Sequence, residues 1–259
     1  MLIDTHAHLT DERYGGAEDI IKGMEADGLE RIVTVGYDLQ SSRAAAELAE
    51  KHETVYFSCG FHPSETGRIA PGDYDEIVAL ASHEKCVAIG EIGLDYYYPD
   101  TDRETQLRRL EEQLDIVSQT GLPAIFHVRD AYGDFDGIIR RNMSKLRGGA
   151  VLHCFSGSKE FAETYADNGF YISFSGAITF KNAVKAAQTV PAVPRDRLLV
   201  ETDCPYLTPE PFRGKTNYPA YVKYTAQKAA ALRGEDFEEL ARYTTQNAYS
   251  FYFKMKRRA

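Results

Sequence analysis

Cysteine is scarce in this chain and never clustered. Its four residues, Cys59, Cys86, Cys154 and Cys204, stand far apart with no Cys-x-x-Cys among them. That spacing excludes a zinc knuckle or a thioredoxin-like motif and fits reduced thiols in a cytoplasmic protein. Long apolar runs are also missing. Nothing approaches the roughly 20 residues that cross a bilayer, so no membrane association is expected. The opening "MLIDTHAHLT" has no basic start and is interrupted by Asp4, which makes it a first piece of folded structure and not a secretory signal. No Pro/Gly/Ser-rich linker or low-complexity segment divides the chain. Residues 1–259 are therefore expected to form one domain, with 43% hydrophobic residues to build its core.

Positive charge is in deficit too. The 30 Lys and Arg stand against 39 Asp and Glu, a formal net charge of −9, and backbone affinity for nucleic acid comes mainly from Lys and Arg. A broad phosphate-binding face is thereby excluded, and the basic tail "KMKRR" is too short for a nucleic-acid arm. An anionic substrate must be held locally, by metal ions or a few cations. Nothing points to an obligate protein partner.

What is present is a repeated alternation. Runs of β-branched and apolar residues predict eight strands, at "LIDTHAH", "RIVTVG", "VYFSCG", "CVAIGEIG", "LPAIFHV", "GAVLHCF", "YISFSG" and "RLLVETD". Helical patterns such as "SSRAAAELAEKH" and "RETQLRRLEEQLDIVSQTG" lie between them, with Asp, Glu or Ser near the start and Gly often at the end. Eight βα units in this length are the arithmetic of a (β/α)8 TIM barrel, whose sites lie at the C-terminal ends of the strands. A doubly wound open sheet would bring a Gly-rich phosphate loop after an early strand, and "HLTDERYGG" has no such fingerprint.

In the first strand, alternation puts Asp4, His6 and His8 on one face and Ile3, Thr5 and Ala7 on the other. Two imidazoles on one face suit a shared metal ion, although a lone His-x-His also occurs as a hydrogen-bonded pair at a strand end. The other strand ends decide between these. Glu91 ends the fourth, His127 the fifth, His153 the sixth and Asp203 the eighth, and all should face one mouth. Four imidazoles and two carboxylates converging there are awkward without cations, because close carboxylates repel and titrate upward. Divalent metals remove the conflict. His62, in "CGFHP", sits just beyond the third strand, while His52 and His83 fall at helix ends and read as surface residues.

At these residues the chain resembles the TatD family of metal-dependent hydrolases, within the wider amidohydrolase-type metallo-barrels. The resemblance runs the whole length on "DTHAHL", "GFHP", "IGEIGLDYY", "FHVRDA", "HCFSGS" and "ETDCPYLTP". It implies a two-metal phosphodiesterase, typically a deoxyribonuclease. One ion would be held by His6, His8, Glu91 and Asp203 and the other by Glu91, His127 and His153. Glu91 is the candidate bridge, since a carboxylate offers two oxygens to two cations at the roughly 3.5–4 Å separation of two-metal sites. The resemblance suggests Mg or Mn in activity and Zn as a common occupant; ligand count alone does not choose among them. Asp203 would also accept a proton from the attacking water.

Around this set, His62 is placed to bond a phosphate oxygen or protonate the leaving group. Arg129 reaches phosphate or pairs with Asp130 or Asp134. Tyr96, Tyr97 and Tyr98 form a rim loop, and Tyr96 is the candidate to stack on a base. Arg213 and Lys215, in "PFRGKTNYP", are the clustered cations of the last strand's exit segment and candidates to hold phosphate. Glu201 and Asp95 are the candidates to orient metal-bound imidazoles. The chain departs from the family pattern at "RGKTNYP", where members often read "RGKRNEP", at Val128, where Ser is frequent, and at Ser64, where a second His often follows "HP". The metal set is untouched by these departures, while substrate preference is affected. The expected activity is an exonuclease on ends of single-stranded DNA or RNA. The alternatives are hydrolysis of a small ester, amide, lactone or aminoacyl bond on the same barrel, or a metal-bound scaffold.

Overall fold

The computed structural model describes residues 1–98 and 100–257; Arg258 of the basic tail lies outside them. Its strands β1 (Leu2–Ala7), β2 (Leu29–Val35), β3 (Val55–Cys59), β4 (Cys86–Asp95), β5 (Ala124–Arg129), β6 (Ala150–Leu152), β7 (Tyr171–Phe174) and β8 (Leu198–Val200) pair in chain order, all parallel. β1 meets the far end of the sheet just beyond β8. Ala7 bridges Cys204 in parallel, the His8 N–H donates to the Cys204 carbonyl at 2.8 Å, and the Asp203 N–H donates to the His6 carbonyl at 2.9 Å. The eight strands thus form a nearly closed (β/α)8 TIM barrel.

Alternation along the strands sorts side chains into two buried layers. Ile3, Val33, Tyr56, Val87, Ile125, Val151 and Leu199 fill the interior. Their neighbours Leu2, Ile32, Phe57, Ile89, Phe126 and Val200 face the helices, as the period-2 pleat requires. The outer layer is built from α1 (Glu18–Gly23), α2 (Leu39–Lys51), α3 (Asp73–Ala81), α4 (Arg103–Thr120), α5 (Tyr132–Asn142), α6 (Lys159–Asp167), α7 (Val184–Ala192) and α8 (Val222–Arg233). Asp38 and Ser41 close a reciprocal capping box on α2. The last helix, here α9 (Phe237–Phe251), brings Ala248, Phe251 and the following Tyr252 into the interior cluster. The Tyr252 hydroxyl donates to the Thr5 carbonyl at 2.9 Å, and Thr245 binds the Met1 carbonyl, so this helix closes the N-terminal end of the barrel. The polar residues collect at the other end.

Two local readings of the sequence need correction. From Asp4 to Ala7, β1 advances three residues while β2 advances two, Ile32 to Thr34, which is a bulge. Thr5 faces inward, bonding the Val200 carbonyl at 2.9 Å, and Asp4 does not share its histidines' face. Its buried carboxylate accepts from the Thr202 N–H at 2.9 Å and the Thr202 hydroxyl at 2.5 Å, and burial pushes its pKa up to about 8. Second, β6 and β8 stop at Leu152 and Val200, short of "GAVLHCF" and "RLLVETD". The chain turns there because Cys154 (φ 43°) and Asp203 (φ 56°) adopt left-handed backbone. His153 and Asp203 therefore lie just past their strands.

Candidate metal centre

The centre is organised around Glu91, which lies inside β4 and not at its end as the sequence suggests, because the strand continues to Asp95. Two glycines let Glu91 in: Gly90 and Gly93 have φ of 156° and 145°, and a Cβ on Gly93 would lie 2.0 Å from the His127 carbonyl oxygen. Only glycine permits this approach of β4 to β5, which brings Glu91 and His127 side by side. The two carboxylate oxygens of Glu91 then face different partners. Oε2 lies 3.5 Å from His6 Nε2 and 3.8 Å from His8 Nε2. Oε1 lies 2.8 Å from His127 Nδ1 and 2.7 Å from His153 Nε2. Asp203 Oδ1 completes the first side, 3.5 Å from His8 Nε2 and 3.8 Å from His6 Nε2.

Three of the four imidazoles are aimed from behind. His8 Nδ1 faces the Val35 carbonyl at 3.0 Å. His127 Nε2 is 2.9 Å from Asp95 Oδ2. His153 Nδ1 is 3.3 Å from Glu201 Oε1, which also accepts from the Cys154 N–H at 2.7 Å while Oε2 accepts from the Ser173 hydroxyl at 2.5 Å. His6 stacks on His153 with ring centroids 4.0 Å apart, and its buried Nδ1 has no hydrogen-bond partner among the described residues. Asp95 and Glu201 thus stand where carboxylates fix the orientation of ligand histidines.

The donor set fits divalent cations. His6 Nε2 and His8 Nε2 are 3.3 Å apart, and His127 Nδ1 and His153 Nε2 are 3.2 Å apart. Ring nitrogens facing one another so closely need a proton or a cation between them. His6, His8 and Asp203 form one group of converging ligand atoms, and Glu91, His127 and His153 form another. His62, Asp95 and His127, and His6, His153 and Glu201, also lie within reach of one another, but there the carboxylate sits behind an imidazole whose other nitrogen already faces Glu91. Burial alone would raise the Glu91 carboxyl, yet the imidazoles of His153, His62 and His127 outweigh it and hold it well below the usual range. Conversely, Glu91 and Glu201 overcome burial to hold His153 well above the usual imidazole range. Protons here take the place of positive charge that metals would bring.

Comparison with known proteins agrees with this geometry. The family described as TatD related DNase matches residues 3–253. The chain belongs to the TatD family. It is a metal-dependent hydrolase of that family, and its homologues' names together with the His/Glu/Asp cluster point to divalent metal. The uncharacterized metal-dependent hydrolase YabD of Bacillus subtilis (strain 168) is 44% identical over 249 residues, covering 96% of this chain and 97% of YabD. The 3'-5' ssDNA/RNA exonuclease TatD of Salmonella typhimurium is 31% identical over 258 residues, covering 97% and 98%. The crystal structure of YJJV, a TatD homologue from Escherichia coli K12, superposes with a TM-score of 0.90 at 28% identity, covering 96% of this chain and 97% of YJJV.

The other candidates of this TatD-family site lie further out. His62 Nε2 is 3.8 Å from Glu91 Oε1, and its Nδ1 accepts from the Ser64 N–H at 3.2 Å, so the neutral ring carries its proton on Nε2. Burial, with His127 nearby, holds this imidazole down at about 3. Arg129 pairs with neither Asp130 nor Asp134; its guanidinium lies 3.8 Å from the Tyr97 ring centroid and 5.0 Å from that of Tyr98, while Asp134 is taken by Arg103. Tyr96 is not the free stacking surface, because its hydroxyl donates to Asp134 at 2.6 Å and its ring is part-buried. Tyr97 and Tyr98 are the exposed rings. Arg213 and Lys215 are exposed on the exit segment, Arg213 over the Phe180 ring at 4.2 Å and Lys215 beside Phe212.

Sequence reasoning passed over Tyr206, whose ring lies 6.1 Å from that of His8, and Arg13, 4.3 Å over Tyr206. Tyr206 stands inside "ETDCPYLTP", three residues past Asp203. That position was the available signal.

Proposed function

We propose that this chain is a two-ion phosphodiesterase that degrades single-stranded DNA or RNA from an end. The observation that carries the reading is Glu91 presenting separate oxygens to two imidazole-lined pockets. The Salmonella typhimurium relative, a 3'-5' ssDNA/RNA exonuclease, supports the substrate class. His6, His8, Glu91 and Asp203 would hold one ion and Glu91, His127 and His153 the other, with Mg or Mn in activity and Zn as a frequent occupant. When bound, such ions supply positive charge to both the entering and the leaving oxygen of a phosphodiester.

The chain's own residues do the rest. Asp203, kept ionised below the usual carboxylate range by the imidazoles of His8, His6 and His153 despite burial, accepts the proton of the attacking water. His62 donates Nε2–H to a non-bridging phosphate oxygen; its low pKa keeps it neutral, a positioning donor and not an acid for the leaving group. α9 closes the opposite end of the barrel, so a strand enters and leaves by the same mouth, which favours a terminus. The test is digestion of linear and circular single strands with Mn held constant, with Asp203→Asn alongside. The linear strand should shorten from one end, the circle should survive, and the variant should not turn over. Rapid cutting of the circle would make the enzyme an endonuclease. If neither strand is cut while small esters or amides are hydrolysed, the nuclease reading fails.

A further inference from the structure

Among the described residues, eight large apolar side chains are well exposed, and half of them are tyrosines on loops that follow β4 and β8: Tyr97 (57%), Tyr98 (49%), Tyr206 (47%) and Tyr218. An exposed aromatic contributes little to a core, so a concentration of them beside a hydrolytic centre calls for another account. Three of them are tied directly to that centre.

Tyr97 and Tyr98 donate their N–H groups to Asp95 Oδ1 at 2.8 and 3.2 Å, and Oδ2 of the same carboxylate meets His127. Arg129 lies against both rings. At the other end of the cluster, the Tyr206 N–H donates to the Asp203 carbonyl at 3.0 Å, and its ring stands edge-on to His8. Arg13 covers this ring, and Asp11 holds the guanidinium with two bonds of 2.9 Å. Next to it opens a cleft of about 390 Å³ whose lining includes Thr10, Asp11, Arg13, Tyr37 and Asp38. The one cation there is already paired with Asp11. The cleft therefore disfavours phosphate.

We propose that these are two base-stacking platforms, Tyr97/Tyr98/Arg129 and Tyr206/Arg13, which grip the nucleobases on either side of the scissile phosphate. This rests on the nuclease reading above and goes beyond it, because it assigns the residues that recognise the strand. One platform hangs from the His127 end of the Glu91 cluster and the other from the His8 and Asp203 end, so a phosphate over Glu91 has one platform on each side. Every base has a π-face, so such a grip is tolerant of sequence. Tight binding then needs few phosphate contacts, consistent with a net charge of −9.

The experiment uses the Mn-loaded protein and short single strands in which either the terminal or the penultimate nucleoside is replaced by an abasic tetrahydrofuran residue. In the parent protein each replacement should lower kcat/KM about tenfold, the scale of one lost stack. In Tyr206→Ala the intact strand should lose about as much, and the penalty for one of the two abasic positions should vanish while the other stays. The Tyr97→Ala/Tyr98→Ala variant should show the opposite pattern. Tyr206→Phe, which keeps the ring, should retain both abasic penalties and recover most of the kcat/KM that Tyr206→Ala loses. Absence of any abasic penalty in the parent, or both penalties surviving unchanged in both alanine variants, overturns the platforms and leaves the nuclease reading standing. If the parent cuts no intact strand, the nuclease reading itself is overturned and the platforms fall with it.

Discussion

Glu91 and Glu201 are both buried carboxylates beside His153, yet their removal should have different consequences. Glu91 touches both halves of the cluster, Oε2 toward His6 and His8, Oε1 toward His127 and His153. Glu201 lies within reach of His6 but hydrogen-bonds to a ligand only in the second half, through His153 Nδ1, and is itself held by Ser173 and the Cys154 N–H. Glu91→Ala should lower occupancy of both ions. Glu201→Ala should weaken one ion by about 10–100-fold, the usual cost of losing a ligand's orienting partner, and leave the other bound. Elemental analysis and calorimetric titration with Mn or Zn separate the two cases. A Glu91→Ala protein that still holds two ions would remove the bridge from the mechanism proposed here.

At the scale of elements, β4 carries the site because its sequence "GEIG" lets it press against β5. Gly93→Ala should destabilise the fold by about 3 kcal/mol or more, since its Cβ would meet backbone and not a side-chain tip, and should also displace His127. Gly234, which caps α8 at φ 65° with nothing within 4 Å of an added Cβ, is the control; Gly234→Ala should cost only about 1–2 kcal/mol, the left-handed penalty alone. Denaturant unfolding measures both, and equal losses would mean that the β4–β5 approach is not the constraint.

The same element shows what was readable in advance. The "VAIGEIG" run announces a strand, and its acid falls among the strand-end histidines, so the barrel and the polar residues gathered at its mouth were legible. The bulge in β1 was not, because "LIDTHA" alternates as well without the extra residue as with it. Only the pairing with Ile32 and Thr34 reveals it. Asp203 itself was legible at the end of "RLLVETD", but the alternation of β8 could not foretell the left-handed backbone of this non-glycine residue. The Arg13–Tyr206 contact joins residues almost two hundred positions apart, and no local pattern encodes it.

For the molecule as a whole, the centre draws on β1, β4, β5 and the turns after β6 and β8, which span most of the chain, from His6 to Asp203. An unfolded chain cannot gather these groups, so divalent ions bind the folded state almost alone and must stabilise it by mass action. Without ions, the neighbouring carboxylates and imidazoles compensate one another through protons, as the depressed Glu91 and elevated His153 indicate; ion binding replaces that arrangement and releases protons. At about a hundred times its dissociation constant, an ion adds roughly 2.7 kcal/mol of stability. A chain of this size gains about 2–4 °C in Tm for each kcal/mol. Saturating Mn or Zn should therefore raise the melting temperature by about 5–10 °C over a chelator-treated sample, measured by calorimetry at neutral pH with ionic strength held fixed. Glu91→Ala should lose most of that rise, while Tyr206→Ala, which leaves every proposed ligand in place, should keep it. A parent protein whose melting point does not move on adding either metal would mean that the cluster is held together by its protons alone.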